Sequence, residues 1–205
     1  MFRALIPAVV VLTGCLHAAP LHPEADRHNQ LCVNELDAGH LYEAKEDFVK
    51  AVHFNNESAQ GWNDLGVIEL DAGHADVAQQ RFERALKVNP DYLEARKNLG
   101  LAQWRQHRLD QAEICFRTMI AVDPRLSEPY HDLGALELER NQPKKAALWF
   151  EKALALEATY ASAWKGLGLA REALGDFAAA REAYGSCADA DPGDLECQRA
   201  ITRVR

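Results

Sequence analysis

The sequence lacks an excess of positive charge and lacks a hydrophobic run long enough to cross a membrane. Lys and Arg number 23 against 31 Asp and Glu, which gives a formal net charge of -8. Proteins that bind nucleic acid usually carry a basic stripe, so the charge balance argues against nucleic acid as a partner. The apolar run near the N-terminus, residues 4–11, is shorter than the roughly 20 residues of a membrane-spanning helix. The hydrophobic content of 48% is ample for a folded domain.

The sequence also lacks the short motifs of catalytic and metal sites. It contains no Gly-x-Ser-x-Gly motif, no glycine-rich phosphate loop, and neither the His-Glu-x-x-His nor the Cys-x-x-Cys spacing. His40, His74 and His107 recur at or close to the same place in predicted turns between helices, where we interpret them as solvated side chains. These absences predict a protein that is not an enzyme and that holds no metal or other cofactor.

The sequence does contain one 34-residue pattern in five consecutive copies. The copies are residues 25–58, 59–92, 93–126, 127–160 and 161–194. Position 7 of the copies is Leu31, Leu65, Leu99, Leu133 and Leu167, position 20 is Ala44, Ala78, Ala112, Ala146 and Ala180, and position 24 is Phe48, Phe82, Phe116, Phe150 and Tyr184. A repeat of this length predicts helix pairs that bury their apolar faces by stacking on their neighbours.

This pattern resembles the tetratricopeptide repeat (TPR) family across residues 25–194. The second copy carries nearly all of the family signature, namely Trp62, Leu65, Gly66, Ala78, Phe82, Ala85 and Pro90. The resemblance implies an all-α fold, a right-handed solenoid of five helix-turn-helix repeats. The amphipathic residues 195–205 then form a C-terminal capping helix.

Two kinds of small residue support this interpretation independently. Position 8 is small in every copy, as at Gly66 and Gly134, so the two helices of a pair can approach closely around the aromatic residue. Gly39, Gly73 and Gly175 stand at position 15. A turn there with left-handed backbone angles is least costly for glycine.

Residues 1–14 have the features of a signal peptide, with Arg3 preceding the short apolar run. The segment ends in Leu12-Thr13-Gly14-Cys15, which resembles the bacterial lipobox. The resemblance implies cleavage before Cys15, a thioether-linked diacylglyceryl group on its sulfur and a fatty acid, such as palmitate, on its freed amine. More than one acyl chain makes such anchoring stable, since each buried methylene contributes about 0.8 kcal/mol. There are two alternatives to lipidation. One is an ordinary signal peptide with a nearby cysteine, and the other is a start codon placed too far upstream.

Residues 15–24 would then tether the repeats to a membrane. Ten residues extend at most about 35 Å, so the repeats are expected to lie close to it. Leu16 follows the cysteine, in place of the aspartate that resembles an inner-membrane retention signal. We therefore expect attachment to the bacterial outer membrane, facing the periplasm.

The remaining cysteines would face an oxidising compartment. Cys187 lies late in the last predicted repeat and Cys197 lies early in the predicted capping helix, with a Pro-Gly turn between them. A disulfide between the two is possible, and the sequence leaves it open. Cys32 and Cys115 lie two repeats apart, too far to pair with each other. We interpret both as small buried packing residues.

In TPR proteins the first helix of each pair lines a concave groove, chiefly through positions 2, 5, 9 and 12. When these family positions are transferred to this sequence, the candidate groove residues are Val33, Leu36, Val67, Leu70, Lys97, Leu101, Trp104, His131, Leu138 and Leu169. Positions 9 and 12 are mostly apolar, although a solvent-facing helix side is expected to be polar. Packing between neighbouring first helices is the alternative. Positions 2 and 6 contain no Lys or Arg, so we expect an apolar or amphipathic segment in the groove instead of a clamped carboxylate.

The lipobox, the short tether and the TPR array together resemble the pilotins of type IV pilus biogenesis, which help the outer-membrane secretin to insert and multimerise. The resemblance implies a chaperone-like assembly factor that holds an apolar segment of an outer-membrane protein such as a secretin. Two alternatives stay open. One is a periplasmic adaptor that docks cell-wall hydrolases or proteases, and the other is a structural TPR component of a motility or secretion machine.

Overall fold

The computed structural model describes residues 22–204, apart from the side chains of Leu36, Leu41 and Tyr42. The predicted signal peptide, the lipobox with Cys15 and nearly all of the tether lie outside the described residues. Across residues 22–204 the chain forms eleven α-helices and no strand. The predicted all-α fold is therefore confirmed.

Ten of these helices form five pairs, and the two helices of each pair are joined by a short turn. In chain order the helices are α1 (Pro23–Asp37), α2 (Leu41–Phe54), α3 (Ala59–Asp71), α4 (Ala75–Val88), α5 (Leu93–Arg105), α6 (Leu109–Val122), α7 (Glu128–Glu139), α8 (Pro143–Leu156), α9 (Ala161–Ala173), α10 (Phe177–Ala190) and α11 (Leu195–Arg203). Helix α1 begins two residues before the first predicted repeat. None of the helices in the described part combines the length and the apolar character that a membrane span requires.

The turn inside each pair passes through left-handed backbone angles at position 15 of the repeat. Gly39, Gly73 and Gly175 have φ values of +80°, +85° and +77°, as predicted. His107 and Asn141 occupy the same position in the other two pairs, each with φ of 57°. Side chains other than glycine are uncommon in this region. The backbone geometry of the turn is therefore common to all five pairs, whether or not glycine supplies it.

Aromatic residues at position 24 fill the space between the helices of a pair. Phe82, Phe150 and Tyr184 are each at most 1% exposed. A Cβ atom added to Gly134 would lie 2.8 Å from the nearest ring carbon of Phe150. One added to Gly66 would collide with the ring of Phe82 in the same way. The predicted close approach at position 8 is thus confirmed.

Gly134→Ala is expected to lower the free energy of unfolding by up to about 2 kcal/mol. Overpacking costs about 1–3 kcal/mol, partly offset by the roughly 1 kcal/mol that alanine gains over glycine inside a helix. Urea denaturation followed by circular dichroism measures the change. Gly185→Ala in α10 is the matched control, because nothing lies within 4 Å of its added Cβ. A loss for the control equal to that for Gly134→Ala would contradict the packing explanation.

The chain divides into two compact units, and the boundary lies inside α6 between Ala112 and Glu113. The core of the first, unit 1, includes Phe48, Trp62 and Ile68. The second, unit 2, has one core cluster around Phe150 and another beneath the capping helix α11. The capping cluster contains Tyr184, Cys187, Cys197, Ala200 and Val204.

Cysteine pairing differs in part from the sequence-based interpretation. Cys187 and Cys197 form a disulfide, with their Cα atoms 6.1 Å apart. Cys115 is a buried thiol, as interpreted. Cys32 is fully buried but disulfide-bonded, so its interpretation as a simple packing residue is wrong. The sequence argument had excluded only a bond to the distant Cys115, and burial does not distinguish a packing thiol from a paired one.

Asp194 anchors the start of α11. Its carboxylate accepts hydrogen bonds from the backbone N–H groups of Glu196 and Cys197, at 2.9 Å and 3.1 Å. Lys165 Nζ donates a further bond at 2.9 Å. The Lys165 bond, followed by the backbone bonds, holds the pKa of Asp194 below its usual range. The same pairing raises the pKa of Lys165.

Asp194→Ala is therefore expected to lower the melting temperature at pH 7. A carboxylate whose pKa is depressed in the folded state stabilises the fold above its unfolded pKa. The difference between variant and wild type should therefore shrink as the pH falls below about 4. Differential scanning calorimetry between pH 3 and pH 7 measures it. Asp189→Ala, an exposed aspartate late in α10, is the control, and an equal loss there would refute a specific role for Asp194.

Candidate functional site

The predicted groove residues of unit 1 lie on the first helices α1, α3 and α5. The half-buried ones are Val33, Val67, Lys97, Leu101 and Trp104. Leu70 is only 5% exposed, so its assignment as an accessible groove residue is corrected. Arg105 of α5 donates from Nη1 to the carbonyl oxygen of Leu70 at 2.7 Å, so α5 lies against this end of α3. The side chain of Leu36 lies outside the described part of the chain.

A row of polar side chains also links the first helices of unit 1. Asn98 Nδ2 donates to Asn63 Oδ1 at 2.9 Å, and Asn63 Nδ2 donates to Asp64 Oδ1 at 3.3 Å. Asn63 is 1% exposed. Buried amides require such partners, so this row fixes α3 against α5. Sequence reasoning missed the role of Asn63, although asparagine at an otherwise buried helix position was a visible signal.

The predicted groove residues of unit 2 differ strongly in exposure. The ring of His131 packs 5.7 Å from that of Phe150 and 5.1 Å from that of Tyr160, between ring centroids. Leu138 is half-buried and packs against the core. Leu169 is 45% exposed. Of the three, Leu169 offers the most accessible apolar surface.

Leu169 lies in a cavity of about 520 Å³ between α9, α10 and α11, which we call the C-terminal cavity. Its lining consists of Lys165, Leu169, Tyr184, Glu196, Arg199, Ala200 and Arg203. Among the apolar side chains of this lining only Leu169 is well exposed, since Tyr184 and Ala200 are 1% and 6% exposed. The volume is sufficient for apolar side chains of a bound polypeptide, which matches the usual size of ligand cavities.

Ion pairs order the rim of the C-terminal cavity. Arg203 Nη2 donates to Glu172 Oε2 at 2.7 Å, and Tyr184 Oη donates to the same atom at 2.8 Å. Burial and the bond to Glu172 raise the pKa of Tyr184, so its hydroxyl stays a donor at neutral pH. Lys165 pairs with Asp194 and Glu196. Arg199 is exposed and has no carboxylate partner within residues 22–204, so its guanidinium can meet an acidic group on a ligand.

The candidate ligands for a metal do not form an open site. Cys187, Asp194 and Cys197 have donor atoms within 4.8 Å of one another. The two sulfurs are bonded to each other, and the Asp194 carboxylate is occupied by α11 and Lys165. These three residues therefore attach the capping helix α11 to the last repeat. His40 and His74 are exposed at their turns, and their Nδ1 atoms contact Glu35 and Glu69 at 2.7 Å and 2.8 Å.

Sequence reasoning found Leu169 but missed the polar half of the C-terminal cavity. Arg199 and Arg203 are spaced four residues apart on α11, which places them on one helix face. That spacing was visible in the sequence. The cavity itself was not, because it depends on how α11 packs on α9. A second cavity, on α6 and α8 around Trp149, was also missed.

Comparison with known proteins agrees with this architecture. The Tetratricopeptide repeat family matches residues 63–125 and 131–194, more than half of the chain. Solved structures with the same fold include pilF of Pseudomonas aeruginosa, which is 21% identical over 88% of this chain and 82% of that one, with a TM-score of 0.71. MamA from Desulfovibrio magneticus RS-1 is 17% identical over 85% of this chain and 99% of that one, with a TM-score of 0.72.

A thermophilic TPR protein of Thermus thermophilus, TTC0263, is 20% identical over 88% of this chain and 98% of that one, with a TM-score of 0.69. At such identities the likeness concerns the fold alone. No curated protein matches the sequence at a significant level. The repeat profile, together with the helix pairs and their position-24 aromatic residues, shows that this chain belongs to the tetratricopeptide repeat family.

Proposed function

We propose that this protein is a non-enzymatic assembly factor that holds an apolar or amphipathic segment of an outer-membrane protein. As a TPR protein it is a scaffold for protein–protein interaction. The observation that carries the proposal is Leu169, which is 45% exposed in a cavity of about 520 Å³. A leucine exposed in a concave, ordered site is typical of a surface that receives another apolar side chain.

The free energy that a single apolar contact contributes is small enough for reversible binding of the cargo, as a chaperone requires. Burying one leucine-sized side chain contributes about 1.5–3 kcal/mol, whereas micromolar affinity corresponds to about 8 kcal/mol. Several such contacts are therefore needed, and the C-terminal cavity of about 520 Å³ has room for more than one apolar side chain. Unassembled outer-membrane subunits expose apolar strands that such surfaces would cover until assembly.

We further propose that the cargo is a secretin and that the protein acts as a pilotin in type IV pilus biogenesis. The support is the lipobox-like sequence ending in Cys15, the short tether and the TPR repeats. The presence of pilF of P. aeruginosa among proteins of the same fold is consistent with it. The acyl chains would hold the protein at the outer membrane, where a secretin assembles.

Deleting the gene and re-expressing variants tests the secretin proposal. We expect SDS-resistant secretin multimers to disappear from membrane fractions and to return with the wild-type chain. Leu169→Arg should fail to restore them, because a charge would occupy the C-terminal cavity. Leu156→Arg is the matched control, a leucine of 44% exposure on α8 that does not line that cavity. Multimers that persist after deletion would refute the pilotin role, and capture of cell-wall hydrolases would favour the adaptor alternative.

The proposed lipid anchor requires a thioether between a diacylglyceryl group and the sulfur of Cys15, which lies outside the described residues. Mass spectrometry of the mature N-terminal peptide decides the point: we expect a diacylglyceryl and N-acyl mass on Cys15. A peptide that carries Cys15 disulfide-linked to Cys32 would refute the anchor.

A further inference from the structure

A second cavity, of about 410 Å³, lies between α6 and α8 and the last turn of α7. We call it the α6–α8 cleft. Its walls are second helices of the repeats together with Glu137 near the end of the first helix α7, and it shares no lining residue with the C-terminal cavity. It is therefore a different surface from the first-helix surface to which the proposed function assigns the cargo.

Exposed apolar side chains flank the cleft. Leu148 and Ile114 are 61% and 65% exposed, and both stand at position 22 of their repeats. In the other three repeats that position is polar, namely Glu46, Gln80 and Glu182. A polar residue is the normal choice for a solvent-facing helix position. The two apolar exceptions lie in neighbouring repeats. Leu148 lines the cleft, and Ile114 follows the lining residue Glu113 in the chain.

The cleft is positively charged although the whole chain has a net charge of -8. The Lys152 ammonium lies 4.4 Å from the ring centroid of Trp149, and the Arg117 guanidinium lies 5.5 Å from it. Arg117 and Arg140 pair with the acidic residues of the cleft. Lys145 and Lys152 have no carboxylate within salt-bridge distance among residues 22–204. The unneutralised charge of the cleft is therefore positive.

Glu137 provides an independent indication of a ligand. The residue is 4% exposed and lines the cleft. Its Oε1 atom accepts a hydrogen bond from Arg140 Nη1 at 3.2 Å. Its buried Oε2 atom accepts none from the described residues. Since a buried carboxylate oxygen normally has a donor, this acceptor at the cleft lacks a donor that the described residues could supply.

We propose that the α6–α8 cleft binds an acidic polypeptide segment of a partner protein. An aromatic or aliphatic side chain of that segment packs against Leu148 and Trp149, and its carboxylates pair with Lys145 and Lys152. The half-buried Trp149 at the wall of a concave site fits a single side chain better than it fits the flat surface of a bilayer. The protein thus has a second docking site, which is separate from the C-terminal cavity.

Fluorescence anisotropy with the full-length protein and two synthetic twelve-residue peptides tests the proposal. Both peptides contain the same Leu and Phe residues, flanked by Glu in one and by Lys in the other. We expect the Glu-flanked peptide to bind at least ten-fold more tightly. Lys145→Glu should weaken it at least ten-fold and Leu148→Ser should weaken it several-fold. Leu169→Arg should leave it unchanged, which separates this site from the proposed cargo site.

Lys144→Glu is the matched control, because Lys144 is exposed on the same turn of α8 but does not line the cleft. At 0.15 M salt, charges beyond about 8 Å are screened, so this variant should weaken binding less than two-fold. Equal losses in Lys144→Glu and Lys145→Glu would overturn the proposal. Equal binding of the two peptides would do so too, as would binding confined to phosphatidylglycerol vesicles.

Discussion

Phe150→Ala is expected to lower the free energy of unfolding of unit 2 by about 3–5 kcal/mol, as full truncation of a buried aromatic residue does. Phe150 is 1% exposed and lies in a core cluster with Ala153, Ala163 and Leu167. Its ring also fills the space above Gly134 and Gly166, where even a single Cβ would collide with it. Because both glycines lie in first helices, the ring joins two consecutive repeats. Its loss leaves a cavity that neither backbone can close.

Chemical denaturation followed by the far-ultraviolet circular dichroism of the helices measures this loss. Leu148→Ala is the matched control, since Leu148 lies two residues earlier on α8 and is 61% exposed. Exposed substitutions usually change stability by less than about 0.5 kcal/mol. Similar losses in the two variants would contradict the claim that position 24 holds neighbouring repeats together.

Removing the Cys187–Cys197 disulfide is expected to cause the second-largest loss in the free energy of unfolding. Closing a loop across a sequence separation of 10 stabilises the fold by about 2–3 kcal/mol in the chain-entropy model. The bond joins α10 to α11, whose buried face is small because the helix spans only 9 residues. The loss should therefore concentrate in the capping helix, where a repeat array frays.

Hydrogen exchange of the Cys187→Ala, Cys197→Ala double variant shows which helices lose stability. We expect faster exchange at the amides of α11 and nearly unchanged exchange in α3 and α4. Cys115→Ala is the control, because Cys115 is a buried thiol and its replacement breaks no disulfide. Unchanged protection of α11 in the double variant would contradict a stabilising role for the bond.

The fold could be predicted because each copy of the repeat specifies the same local packing. A small residue opposite an aromatic residue, as at Gly66 and Phe82, fixes the distance between two helices whatever the neighbouring repeats contain. The turns at Gly39 and Gly73 follow from local backbone preferences. Asn141 shows that the same turn forms without glycine. The 34-residue period was therefore sufficient to predict the helix pairs and the turns between them.

The candidate site could be predicted only in part, because accessibility depends on packing between repeats. Leu70 and Leu169 are both apolar first-helix positions in the pattern, yet one is 5% exposed and the other 45%. The difference arises because α5 lies against the end of α3 near Leu70, whereas the helix that lies beside α9 in the corresponding place is the short capping helix α11. The α6–α8 cleft was missed because the candidate binding surface was sought on the first helices alone, although the apolar Leu148 at position 22 was visible in the sequence.

Photo-crosslinking from position 169 in living cells decides whether the first-helix surface holds a polypeptide. Benzoylphenylalanine replaces Leu169 in one strain and Leu156 in another, since the two leucines have nearly equal exposure. We predict that position 169 traps an outer-membrane protein, through an apolar or amphipathic segment, and that position 156 does not. Equal products from both positions, or none from position 169, would contradict the proposed function.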